Sequence, residues 1–213
     1  MAETSTEIAI IRHPETVANT EGRFVGHGDS EITERGRQQL LALTTAMDAW
    51  RPTAVFTSPL RRALVAAQTI TACGVPITVL EDLQEIDFGR AEGLTWNEIT
   101  SLGMAVDYLP NGAASSGVPA SELDGPGDGA VAPGGESWAN FEARVIRAAT
   151  TVESAGSRVA IVTHGGVFRT LIAHWLGLPM EASWRFAVGN GAIATVRVSD
   201  GAGVLTSLTA DAV

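Results

Sequence analysis

The chain is short of cysteine, of long apolar runs and of basic charge, and each shortage removes a class of protein. Its 213 residues include one cysteine, Cys73, so no intrachain disulfide can form. A lone cysteine also provides no CxxC pair or Cys/His cluster of the kind that holds zinc. No apolar run approaches the ~18 residues of a membrane-crossing helix. The polar start, MAETSTE, lacks the charged-then-apolar order of a secretory signal. Basic residues number 14 against 24 acidic ones, a net charge of −10. Nucleic-acid and anionic-membrane binders show a basic face, so this balance argues against both. A few arginines focused in a cleft can outweigh a distant negative surface, which leaves a small anionic substrate open. The expectation is a cytoplasmic protein with no nucleic-acid or membrane partner.

What the chain does contain is the material of a core. Hydrophobic residues make up 45%, which excludes a disordered protein, and the length is ample for a full core. Ile8–Ile11 and Arg158–Thr163 (RVAIVT) read as buried strands, Ala54–Thr57 and Pro76–Leu80 as shorter ones. Glu34–Trp50 has Leu40, Leu43, Met47 and Trp50 at helical spacing behind Thr33 as cap. Ser58-Pro59 predicts a helix start, with Ser as cap and Pro at the first helical position, running to about Cys73. Thr95-Trp-Asn-Glu98 fits a capping box. Ser137–Ser154 and Gly166–Leu176 read as helices, and WRFAV and GAIATVRV as strands in the tail. Strands alternating with helices predict a three-layer α/β/α sandwich with a mostly parallel central sheet. The expected organisation is one domain over residues 1–213. Within it, residues 110–135 are rich in Gly, Ala, Ser and Pro and read as a long surface loop or mobile flap.

Two strands end alike. IAII runs into Arg12-His13, and AIVT runs into His164. Open α/β sheets bind ligands beyond the carboxyl ends of their strands. If the two strands are neighbours, both histidines meet in one pocket. Arg62 follows AVFT on the first turn of the next helix. Two arginines and two histidines at one sheet edge suit a phosphate, because a guanidinium makes forked contacts with its oxygens. THGG adds backbone N–H groups, including that of Gly165, at a helix start.

These motifs resemble the histidine phosphatase superfamily, the phosphoglycerate-mutase-like proteins. Arg12-His13-Pro14-Glu15-Thr16, followed by Asn19, Arg23 and Gly26, is similar to the family's Arg-His-Gly-Glu-Thr motif and the residues after it. EITERG at 31–36, SPLRRALVAAQT at 58–69, LQEIDFGRAEG at 83–93, PGGES at 133–137 and THGG at 163–166 continue the resemblance in family order. One departure is plain: Pro14 stands where the family has Gly. Proline removes an N–H, but its carbonyl remains to orient the histidine ring.

The resemblance implies a metal-independent mechanism with no cofactor. His13 attacks phosphorus and becomes a phosphohistidine. Arg12, Arg62 and His164, with Asn19 and Gly165, bind the phosphoryl oxygens. Glu85 protonates the leaving alcohol and then takes a proton from water. Thr16 and Arg23 sit on the substrate side. The implied partner is a small phosphorylated metabolite, and a homodimer is left open. Hydrolysis is the first reading, because a Gly-rich loop at 110–135 makes a poor water-tight lid. The alternatives are phosphoglycerate-mutase-type transfer, α-ribazole-phosphate hydrolysis, and a catalytically silent binder of phosphorylated ligands. Among the remaining residues, His27 reads as a solvated loop residue, His174 as core or surface, Glu15 and Glu92 as structural, and Cys73 as a packed helix residue.

Overall fold

The computed structural model describes residues 5–72, 74–106 and 129–210. Six strands form one sheet: β1 (Thr6–Arg12), β2 (Ala54–Thr57), β3 (Ile77–Val79), β4 (Arg158–Thr163), β5 (Ile193–Ser199) and β6 (Ala202–Thr209). Their order is β3-β2-β4-β1-β5-β6. The first four run parallel, while β5 is antiparallel to β1 and β6 to β5. The helices are α1 (Val17–Thr20), α2 (Glu34–Trp50), α3 (Arg61–Ile70), α4 (Trp96–Ser101), α5 (Trp138–Glu153) and α6 (Gly165–Trp175). No helix among the described residues is long and apolar enough to cross a membrane.

Alternation along the central strands builds the layers. Ile8 and Ile10 of β1, with Val159 and Ile161 of β4, point to one face and pack on Phe141, Val145 and Val152 of α5 and Phe168 and Leu171 of α6. Ala9 and Ile11, with Ala160 and Val162, point to the other face and meet Leu40, Leu43 and Met47 of α2 and Ala63, Ala66 and Ile70 of α3. Both faces of β1 and β4 are covered, which is why these strands read as unbroken apolar runs. Each fully buried Ile or Leu contributes about 1.5–3 kcal/mol. The result is the expected α/β/α sandwich, with an antiparallel pair at one edge.

Local signals explain several boundaries. Thr33 accepts a hydrogen bond from Gly36 N–H and starts α2. Thr95 and Glu98 form the reciprocal capping box that starts α4.

Other expectations need correction. Helix α3 begins at Arg61 rather than Pro59 and ends at Ile70. Ser58 accepts from Leu60 N–H but directs its hydroxyl to His164, so its oxygen serves a turn and the site together. WRFAV is not a strand: Met180–Arg185 is a 3₁₀ turn. The second tail strand is instead AGVLTSLT, which pairs with β5. Cys73 and most of the 110–135 loop lie outside the described residues. Its end, residues 129–135, is no surface flap, because Ala130, Val131 and Ala132 are buried in the core.

Candidate active site

Three parallel strands deliver the site. Arg12 is level with Thr163, and the next amide on β1, His13 N–H, donates to Thr163 O at 2.8 Å. On the other side of β4, Ser58 N–H donates to Val162 O at 3.1 Å. Ser58, His164 and His13 therefore stand side by side one step past the carboxyl ends of β2, β4 and β1. The two imidazole centroids are 5.2 Å apart. A pocket of about 240 Å³ opens here, and Arg12, His13, Asn19, Arg62, Glu85 and Gly166 contribute to its lining.

Each polar group is held by its back. His13 donates from Nδ1 to Pro14 O at 2.8 Å, a carbonyl being able only to accept. That fixes the tautomer and leaves the Nε2 lone pair for chemistry. The Pro14 carbonyl thus does the orienting, and the missing proline N–H does not disturb it. His164 Nε2 meets Ser58 Oγ at 2.8 Å, while its buried Nδ1 has no hydrogen-bond partner among the described residues. Arg12 Nη1 donates to Val188 O at 2.7 Å. Arg62 is 2% exposed and donates to Gly28 O at 2.8 Å and Gly26 O at 2.7 Å.

The loop that grips Arg62 is itself gripped. Glu92 accepts from His27 N–H at 2.6 Å and Gly28 N–H at 2.7 Å. A Cβ at Gly26 would collide with Glu92 Oε1 and Ile86 O, so that position requires glycine. His27 is more than a solvated residue, since its Nε2 donates to Glu85 O at 3.0 Å.

Glu85 is fixed from both sides. Its carboxylate accepts from Gly166 N–H at 2.9 Å and Ile86 N–H at 3.0 Å. Its carbonyl also accepts from Arg144 Nη2 at 2.9 Å. Arg144 holds Gln84 O at 2.6 Å and is forked onto Glu136 at 2.7 and 2.8 Å. Glu136 is the acid of PGGES, and through Arg144 that motif anchors the segment that carries Glu85. Gly166, rather than Gly165, lines the pocket, and any side chain there would strike Glu85. Gly165 lies behind, where a Cβ would come 3.5 Å from the Arg12 guanidinium carbon.

Asn19 Oδ1 accepts from Thr16 N–H at 3.1 Å, Thr16 Oγ1 at 2.9 Å and Asn190 Nδ2 at 3.0 Å. These bonds commit the oxygen and leave the amide N–H₂ for the pocket. Asn190 also donates to His13 O at 3.3 Å. Arg23 is at the rim, bonded to Glu21 at 2.6 Å, Gly93 O at 2.8 Å and Glu98 at 3.1 Å. Sequence reasoning missed Asn190, Arg144 and the two tryptophans of the pocket wall, Trp138 and Trp184. His174 lies on α6 next to Trp175, and it does not line the pocket.

The electrostatics favour neutral imidazoles. Burial first, then the Arg62 and Arg12 charges, push the His13 pKa well below its ordinary value. Burial, Arg62, His13 and Arg12 do the same to His164. Burial also lowers Arg62, against the opposing pull of Glu85 and Glu92, although an arginine stays charged at neutral pH. Among the described residues, no group of three or more His, Cys, Asp or Glu side chains could hold a metal ion.

Lowered histidine pKa values have a consequence for stability. Below ~6.5 the unfolded chain protonates both imidazoles, while the folded one resists until its own lower pKa values are reached. Folding stability therefore falls with pH through that window, by at most about 1.4 kcal/mol per pH unit for each histidine. In phosphate-free buffer, urea unfolding at pH 5.5 should show lower stability than at pH 7.5, with a shallower dependence in His13→Asn. A flat profile in the wild type would mean that the buried rings are not held neutral.

Comparison with known proteins gives the family. Residues 8–211 match the histidine phosphatase superfamily (branch 1). A metal-independent phosphoserine phosphatase from Arabidopsis thaliana is 33% identical over 171 residues, 78% of this chain and 67% of that protein. A probable phosphoglycerate mutase from Salmonella paratyphi C is 31% identical over 193 residues, 89% of this chain and 84% of that protein. The crystal structure of a putative α-ribazole-5′-phosphate phosphatase from Escherichia coli superposes with a TM-score of 0.78 at 26% identity, covering 97% of each chain.

Proposed function

The chain belongs to the histidine phosphatase superfamily and is a phosphatase; we propose that it hydrolyses a small phosphomonoester through a phosphohistidine on His13, without a metal ion. The observation that carries this reading is the His13 ring. Its Nδ1 proton is tied to Pro14 O, and its pKa is held low by burial and two arginines. A neutral imidazole with a committed Nδ1 presents a nucleophilic Nε2.

The reaction follows from the surrounding groups. The substrate phosphoryl group is received by Arg12, Arg62 and the Asn19 amide, with His164 Nδ1 as a further donor. As Nε2 of His13 attacks, the bond from phosphorus to the leaving oxygen breaks, and Glu85 in its protonated form supplies the proton to that oxygen. Charge on the transferring group stays between fixed cations, which need not reorganise during the step. The alcohol departs, and the Glu85 carboxylate takes a proton from an incoming water. The water oxygen bonds phosphorus as the P–N bond breaks, which releases inorganic phosphate and restores neutral His13. An arriving phosphate dianion also favours a proton on His164.

Hydrolysis and mutase chemistry differ only in what attacks the phosphohistidine. Given a panel of phosphomonoesters, the protein should release inorganic phosphate. Given 3-phosphoglycerate with catalytic 2,3-bisphosphoglycerate, it should form little 2-phosphoglycerate. Isomerisation much faster than phosphate release would assign the chain to the mutase activity named for the Salmonella relative. Binding of phosphorylated ligands with neither reaction would make it a silent binding protein.

A further inference from the structure

We propose that this site selects phosphomonoesters whose alcohol carries an aromatic or apolar ring and no second anionic group, with Phe24 and Trp184 as specificity determinants; the inference rests on the phosphatase reading above. The argument begins with the supply of positive charge. The chain has no lysine, so its cations are 14 arginines and any protonated histidine. Among the described lining residues, Arg12 and Arg62 serve the phosphoryl group, and Arg23 is the one other arginine. Arg23 is already bonded to both Glu21 and Glu98, so that part of the rim carries two negative charges to one positive. The sequence from 107 to 128 contains no Arg, Lys or His, and it can bring no cation to the mouth wherever it lies. A substrate carboxylate or second phosphate at that rim would meet one arginine already bonded to two carboxylates and would face net repulsion, while Arg169, whose buried Nε has no hydrogen-bond partner among the described residues, lies against the Trp184 ring and outside the lining.

The remaining wall is apolar and aromatic. Phe24, Val25, Ile86, Phe88, Trp138 and Trp184 line the pocket. The four rings form two edge-to-face pairs. Phe24 and Phe88 have centroids 5.1 Å apart at 75°, and Trp138 and Trp184 lie 6.4 Å apart at 89°. The pairs are braced from behind by Trp96 against Phe24 and by Arg169 on the Trp184 ring, at 6.0 and 4.9 Å. Rigid, half-buried rings at a pocket mouth offer a large contact area at low conformational cost. An apolar cavity of about 150 Å³ holds a benzene ring, so about 240 Å³ accommodates a phosphoryl group and one ring.

The test uses alkyl phosphates whose primary alcohols have similar acidity, so that leaving-group chemistry is held constant. The substrates are 2-phenylethyl phosphate, glycerol 3-phosphate, O-phosphoserine and 3-phosphoglycerate. In the wild type, kcat/KM for 2-phenylethyl phosphate should exceed that for glycerol 3-phosphate by roughly 10–100-fold and that for the two acids by more. Phe24→Ala and Trp184→Ala should lower the 2-phenylethyl value by about tenfold while leaving the glycerol 3-phosphate value within about threefold. The wild-type ratios alone decide the matter if a variant folds poorly. Phosphoserine or 3-phosphoglycerate turned over as well as the phenylethyl ester would overturn the inference and leave the phosphatase reading intact. Loss of that acid activity in Arg169→Ala would then locate the anion contact beneath Trp184. Failure to hydrolyse any of the four would reject both readings.

Discussion

Replacement of His13 by alanine should slow phosphate release by at least about 10⁴-fold, the scale of loss seen when a nucleophile is removed from a preorganised site. The arginines would survive the change, because Arg12 is anchored on Val188 O and Arg62 on Gly26 O and Gly28 O, none of which depends on the imidazole. Substrate binding should therefore persist while chemistry stops. With substrate labelled at phosphorus, the wild type should yield a phosphoenzyme that survives alkali and is lost in acid, as expected of a phosphoramidate. His13→Ala should yield none. Equilibrium binding of inorganic phosphate separates the cases: retained affinity with lost turnover identifies a nucleophile, and loss of both would indicate a collapsed pocket. Turnover within tenfold of the wild type would reject His13 outright, since water attacking directly could not match a positioned imidazole.

The features readable in the sequence were those set by neighbours in the chain. IAIIRH and AIVTH each state a buried strand and its polar end within six residues, and parallel pairing of β1 with β4 then brings His13 beside His164. Thr33 and Thr95 announce helix starts because a cap acts over three residues. Asn190 gave no such signal. It bonds Asn19 across 171 positions, and only the approach of the segment before β5 to the β1 end creates the contact. Arg144 gave no signal either, because it reaches 59 positions back to Glu85 O. The end of the Gly/Ala-rich stretch was misread for a related reason. Ala130, Val131 and Ala132 are too small and too few to show periodicity, yet all three are buried. WRFAV alternates like a strand, whereas the turn after Pro179 takes its first two residues, Trp184 and Arg185, into a 3₁₀ segment that sets Trp184 at the pocket. The candidate catalytic set was thus locally encoded, and the parts that orient it and shape its mouth were not.

The Glu85→Gln variant should separate substrates by how much help their leaving groups need. A general acid contributes about 10²–10⁴-fold when the departing oxygen would otherwise leave as a strongly basic alkoxide. An aryl oxide such as p-nitrophenolate leaves unaided. In a single turnover, release of glycerol from glycerol 3-phosphate should slow by roughly 10²–10⁴-fold and that of p-nitrophenolate from its phosphate by less than about tenfold. Glutamine is the right replacement because the side-chain oxygen has a structural duty as well. Glu85 accepts from Gly166 N–H and Ile86 N–H, and a carboxamide oxygen can keep one of these bonds while its N–H₂ cannot shuttle the proton. The segment stays pinned through its carbonyl by Arg144 and His27, so the backbone should not move. Equal single-turnover losses on the alkyl and aryl esters would show that the carboxylate positions Gly166 and α6 rather than transferring a proton. The slowed second half-reaction adds an independent check. In the proposed mechanism Glu85 also takes the proton from water, so p-nitrophenyl phosphate should give Glu85→Gln a burst of p-nitrophenolate followed by slow turnover, with phosphoenzyme accumulating on His13. Absence of that burst, with unchanged steady-state turnover, would remove Glu85 from the hydrolytic step as well.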